Sequence, residues 1–119
     1  MADLHHINVV LIVFAMPGCP ACEDYLPRFR RQVVAFQRYH HPFVFHTEGA
    51  PVASGTIPIC VFDSASTDPG VQALADQHHV SALPTTVLAT RYYGNERLEG
   101  ALSDREIYDL LVRATQVPR

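Results

Sequence analysis

The chain has no tryptophan and no lysine: all nine of its basic residues are arginine. Neither absence by itself excludes a function. Other shortages exclude more. Three cysteines are too few for the disulfide scaffold of a small secreted domain. No basic cluster stands out against a net charge of −3, so nucleic acid is not an expected partner. No apolar run approaches the length that crosses a bilayer. The run from Asn8 to Ala15 has the length of a secretory leader core, but it is flanked by Asp3, His5 and His6 rather than by Lys or Arg. A cytoplasmic protein with no membrane contact is therefore expected. Internal repeats and low-complexity tracts are also absent.

What is present describes an ordinary globular chain. At 119 residues, with 48% hydrophobic and 18% charged residues, a single domain spanning 1–119 with one packed core is expected. One close pair of cysteines plus one odd cysteine suits a reducing compartment, with the third thiol buried.

The close pair is Cys19-Pro20-Ala21-Cys22, set between a β-branched apolar run and a helical pattern. A thiol at a helix N-terminus meets unpaired backbone N–H groups and the positive end of the helix dipole, which favour its thiolate. A second cysteine one turn later lies within reach to resolve a mixed disulfide. Cys19, nearer the helix start, is the candidate nucleophile and Cys22 the candidate resolving thiol. Half of a zinc site has the same spacing. Neither a second C-x-x-C nor an H-x-x-x-H follows, and the strand–turn–helix setting favours redox use.

In chain order, Ile7 to Met16 reads as a buried central strand ended by Pro17 and Gly18. From Cys19 the apolar stripe Tyr25, Phe29, Val33, Phe36 predicts a helix, with Pro27 interrupting it and Arg28, Arg30, Arg31 and Arg38 mostly on its solvated face. Residues at about 40–56 read as an inserted loop or hairpin, with Phe43-Val44-Phe45 a short strand at most, because Pro42, Gly49, Pro51 and Gly55 break longer elements. Ile57 to Phe62 is a second buried strand. A helix over about 71–79 follows Asp68-Pro69-Gly70. Strands at 86–89 and 97–99 flank a turn at Tyr93-Gly94-Asn95. Ser103-x-x-Glu106 is a capping box opening a last helix with the buried stripe Ile107, Leu110, Leu111, Ala114. The order β, α, loop, β, α, β, β, α predicts an α/β three-layer sandwich around a four-stranded mixed sheet.

These segments resemble the thioredoxin superfamily. The dithiol follows a buried strand, Pro27 lies five positions beyond Cys22, Leu83-Pro84-Thr85 is similar to the family's cis-proline signature, and Gly100-Ala101-Leu102-Ser103 resembles the segment entering its last helix. Asp68-Pro69-Gly70 resembles the loop before its third helix. The resemblance implies a thioredoxin-like α/β/α sandwich with a cis Pro84 and exchange of protein disulfides through Cys19 and Cys22. Gly18, Pro20, Ala21, Leu83 and Pro84 would be the substrate contacts, with the Leu83 backbone pairing with an extended peptide. It implies no cofactor beyond the Cys19–Cys22 disulfide, a thioredoxin reductase or glutathione as electron donor, and a monomer. The chain departs from the family at Gly18, where thioredoxins carry Trp, and at Val13, where they bury an aspartate beneath the dithiol. It also begins without the family's first strand and helix, as glutaredoxins do, and C-P-x-C is a glutaredoxin pattern, although the glutathione-binding segments of that family are not matched.

Other residues have plainer readings. Cys60 is expected to be a buried, inert thiol. The seven histidines include His5-His6, His40-His41 and His78-His79, and adjacent pairs point apart, so solvated or capping roles are expected rather than a metal site. Tyr92-Tyr93 is expected to be ordinary strand packing, and Met16-Pro17 to be apolar surface beside the dithiol. Glu23 and Asp24 are the acids nearest Cys22. The rival readings are a thioredoxin-fold interaction module without redox turnover, a glutathione-dependent reductase, and a metal protein using Cys19, Cys22 and histidines.

Overall fold

The first apolar run becomes the middle of a sheet because it can be covered on both faces. In the computed structural model, which describes residues 7–38, 42–47 and 49–119, it forms β1 (Val9–Ala15), buried at every position but Val10. Successive side chains alternate between faces. Val9, Leu11 and Val13 enter a core shared with Tyr25, Phe29 and Val33 of α1 (Pro20–Phe36) and with Ile107, Leu110, Leu111 and Ala114 of α3 (Asp104–Gln116). Ile12 and Phe14 face the opposite side, against Leu74 and Ala75 of α2 (Pro69–Gln77). Two helices cover one face and one covers the other, which gives the three layers.

The sheet has five strands in the order β2-β3-β1-β4-β5, where β2 is Phe43–Phe45, β3 Ile57–Asp63, β4 Thr85–Thr90 and β5 Asn95–Glu99. β3 lies parallel to β1, with Leu11 opposite Ile59, and β4 antiparallel, with Val13 opposite Thr86. The expected count of four strands is corrected to five, because Phe43–Phe45 joins the sheet edge, parallel to β3, rather than pairing within its own segment. Three residues are too short for periodicity to identify. What holds them is tertiary. Phe43 is buried with its ring edge-on to Phe36 at 5.5 Å, and its N–H donates to Gln37 Oε1 at 2.7 Å.

The helices start as their sequences require. Asp68 caps α2 through its side chain, and Ser103 with Glu106 forms the reciprocal capping box of α3. α1 continues through Pro27. One expectation fails at the β4–β5 turn, where Tyr92 and Tyr93 are 72% and 67% exposed rather than packed in a strand. The hairpin closes at Gly94, with φ +85°, so both tyrosines fall in the turn, where the Arg91 guanidinium lies 5.7 Å from the Tyr92 ring.

The large core contains one polar bridge. Tyr25, fully buried on α1, shares a 2.8 Å hydrogen bond with Thr86 Oγ1, fully buried on β4. Burial pushes the phenol up to about 12, so it stays neutral. Tyr25→Phe strands the Thr86 hydroxyl and is expected to cost about 1–3 kcal/mol, read as a lower urea midpoint with unchanged slope. Tyr25→Phe with Thr86→Val removes both partners and is expected to recover most of the loss.

Candidate functional site

The C-terminal end of β1 delivers the cysteine pair to the surface. Ala15 is the last strand residue, and the chain turns through Met16, Pro17 and Gly18. Gly18 adopts φ +80°, a conformation an L side chain rarely takes, and this aims the next residue at the start of α1. Cys19 is the N-cap of that helix. Its Sγ accepts the Cys22 N–H at 3.3 Å, so the sulfur occupies the place of a capping oxygen and faces the helix's unpaired donors. Pro20, the first helical residue, has no N–H to leave unsatisfied. Cys19 is partly exposed, whereas Cys22 is buried, 1% exposed, and both thiols are free. Burial holds the Cys22 thiol above its ordinary value, and a hydrogen bond with Cys19 and the charge of Cys19 raise it further.

Two other segments meet this turn. The Leu83–Pro84 peptide is cis, as expected from the sequence, and Phe14 pairs with Thr85 in the β1–β4 ladder. Pro84 is therefore held beside the end of β1, with Leu83 outside the ladder. The Pro84 carbonyl accepts the N–H of Gly100 at 2.8 Å, which fixes the 100–102 segment alongside it. Arg28 closes the ring of contacts. Its Nη1 donates to the Leu102 carbonyl at 2.8 Å and to Asp104 at 3.0 Å, while its Nε donates to Asp24 at 3.0 Å. Residues 18–22, 83–84 and 100–102 thus converge at one end of the sheet.

The acids near the dithiol have separate fates. Asp24 is engaged by Arg28, whereas Glu23 is exposed in the first turn of α1. Val13, where the sequence resemblance led one to look for a buried acid, is fully buried among apolar side chains. Directly across from it in register stands Thr86, bonded to Tyr25. That neutral hydroxyl pair was not anticipated from sequence. The only available signal was a tyrosine in an otherwise apolar stripe, because a buried phenol requires a partner.

Among the described residues no group of three or more His, Cys, Asp or Glu side chains is placed to hold a metal ion. His5, His6, His40 and His41 lie outside those residues. His78 is buried against the Phe14 ring at 6.4 Å, while its neighbour His79 is exposed. Cys60 is buried in β3, where desolvation pushes its thiol up to about 11.

No protein-family model and no curated protein sequence matches the chain. Solved structures do. The chain superposes on the crystal structure of chloroplastic thioredoxin z with a TM-score of 0.61 at 17% identity, covering 98% of this chain and 86% of that one. The chain has a thioredoxin fold. Reduced Schistosoma mansoni thioredoxin pre-protein gives 0.60 at 18% identity over 94% of this chain and 84% of that chain. A single-residue mutant of the thioredoxin from Halobacterium salinarum gives 0.58 at 21% identity over 94% and 79%. Within the thioredoxin fold, Cys19, Cys22 and the cis Pro84 are brought to one end of the sheet, and Cys60 is kept apart in the middle of β3. No helix among the described residues is long and apolar enough to cross a membrane.

Brief alkylation of the reduced protein is expected to label Cys19 first, with Cys22 and Cys60 labelled only after denaturation, as read by peptide mass spectrometry. His78, packed against Phe14, gives a pH signature. Burial, with the charge of His79, lowers the pKa of His78. The unfolded chain therefore takes up this proton at about pH 6.5 while the folded chain still holds the ring neutral. Stability is expected to be fully present above that pH and to fall as pH drops below it, with a shallower fall in His78→Gln, measured by urea midpoints.

Proposed function

We propose that the protein is a thiol–disulfide oxidoreductase acting on protein disulfides. The observation that carries this reading is the placement of the partly exposed Cys19 Sγ at the N-terminus of α1, with the buried Cys22 one turn behind it. The Cys19 thiolate attacks one sulfur of a substrate disulfide. That S–S bond breaks, the departing thiolate takes a proton, and a mixed disulfide joins Cys19 to the substrate. Cys22 then loses its proton and attacks Cys19 Sγ, releasing the second substrate thiol and leaving the Cys19–Cys22 disulfide, so two electrons pass to the substrate.

The raised pKa of Cys22 suits this order. Two of its causes, the hydrogen bond with Cys19 and the charge on Cys19, disappear once Cys19 is tied up in the mixed disulfide. Cys22 thus holds its proton while Cys19 attacks and yields it more readily afterwards. Gly18, Pro20, Ala21, Leu83 and Pro84 form the substrate-contacting rim, where the Leu83 backbone pairs with an extended peptide. The dithiol needs no cofactor. It is returned to the reduced state by a thioredoxin reductase or by glutathione, and the protein works as a monomer in a reducing compartment, the cytoplasm.

A second reading, an interaction module without turnover, draws support from Val13, which leaves no buried acid among the described residues to take the proton of Cys22. Insulin reduction in the presence of dithiothreitol separates the two. Wild type is expected to accelerate precipitation and Cys19→Ser to match the blank, while pre-reduced Cys22→Ser mixed with insulin without dithiothreitol is expected to accumulate a mixed disulfide visible as added mass. Wild-type turnover no greater than that of Cys19→Ser would exclude the oxidoreductase. The reduction potential then gives direction, with about −270 mV indicating a reductant and about −120 mV an oxidant.

A further inference from the structure

A cavity of about 320 Å³ opens beside the dithiol, lined by Ala15, Met16 and Pro17 of the turn, Glu23 and Leu26 of α1, and Val61, Phe62 and Asp63 at the end of β3. It lies on the β3 side of the turn, whereas Pro84 lies on the β4 side. Its wall is continuous with the reactive centre, because the Met16 carbonyl accepts the Cys19 N–H at 3.3 Å. The floor is apolar and its chemistry differs at the rim. Glu23 and Asp63 are both exposed, and neither enters an ion pair among the described residues. One oxygen of Asp63 accepts the Ala65 N–H at 2.8 Å, which orients its carboxylate. Two arginines of α1 are engaged elsewhere, and no arginine of the helix is ion-paired to this rim among the described residues. Arg28 is engaged by Asp24 and Asp104, and the Arg30 guanidinium lies 4.7 Å from the Phe45 ring.

An apolar floor under a carboxylate rim fits a side chain with an aliphatic stem and a cationic head. We propose that this groove receives an arginine or lysine side chain lying near the disulfide-bonded cysteine of the substrate, and so selects cationic segments for exchange at Cys19. The proposal rests on the oxidoreductase reading and names its substrate class. Charge complementarity carries it: two carboxylates outside any described ion pair flank an apolar slot beside the turn that presents the nucleophile.

The test uses disulfide peptides identical except for one residue, Arg, Gln or Glu, placed one or two positions to either side of the cysteine. Exposed ion pairs are individually weak, so two of them are expected to raise kcat/KM for the Arg peptide about three- to tenfold over the Gln peptide, with the Glu peptide slower still. Salt at about 1 M is expected to erase the difference. In the double variant Glu23→Gln/Asp63→Asn the ratio is expected to collapse toward one, and the introduced carboxamide retains an oxygen for the Ala65 N–H. In Asp76→Asn, which removes a carboxylate of α2 outside the groove, the ratio is expected to persist. Equal rates for the three peptides would overturn the groove assignment while leaving the dithiol chemistry standing. A preference that survives the double variant, or that falls equally in Asp76→Asn, would reduce it to net charge and also overturn it. Failure to reduce even the Gln peptide would remove the oxidoreductase reading itself.

Discussion

Burial of β1 on both faces is the constraint from which the rest of the structure follows. A strand covered by helices on each side must occupy the middle of the sheet, and its C-terminal end then emerges at the centre of one pole. The turn after it has neighbours on both sides, β3 on one and β4 on the other. Cys19 is therefore presented between the Pro84 segment and the end of β3 rather than on an open edge. Each fully buried aliphatic or aromatic side chain stabilises by about 1.5–3 kcal/mol, so Leu11, Val13 and Phe14 hold this geometry more firmly than any single polar contact does.

The polar contacts decide alignment instead. Tyr25 to Thr86, Gly100 to the Pro84 carbonyl, and Arg28 to the Leu102 carbonyl each join two of the segments that converge at the dithiol. The first lies wholly inside the core, where an unmade partner is costly. Its position opposite Val13 places a neutral hydroxyl pair, rather than a charged group, at this point of the core. The pKa of the Cys22 thiol is accordingly raised by burial and by Cys19, against a backbone hydrogen bond with Met16 that lowers it. Charge is carried at the rim of the groove, by the exposed Glu23 and Asp63, where it meets solvent rather than the buried thiol.

The features legible in the sequence are those encoded over one turn or one strand. The Ser103–Glu106 box, the stripe Ile107, Leu110, Leu111, Ala114 and the cap at Cys19 all depend on residues three or four apart, and each appears where the pattern puts it. The unbroken apolar run of β1 likewise predicted its burial. Phe43–Phe45 was not legible as a sheet strand, since three residues carry no period and its place depends on Phe36 and Gln37 at the end of α1. Tyr92 and Tyr93 were expected to pack because aromatic residues favour strands, whereas the turn, which the sequence already placed at Tyr93 and Gly94, takes in both and leaves them exposed.

By itself, then, the sequence determined the helices, the order of the elements other than β2, and the attachment of a C-x-x-C pair to a helix N-terminus. The tertiary structure alone decided that Tyr25 meets Thr86 across a separation of 61 residues, that Arg28 reaches Leu102 across 74, and that Leu26, Phe62 and Asp63 close a groove around Met16. The reason is range. Periodicity and capping depend on neighbours a few bonds away, whereas these contacts exist only once two faces of helix and sheet have been pressed together by the burial of β1.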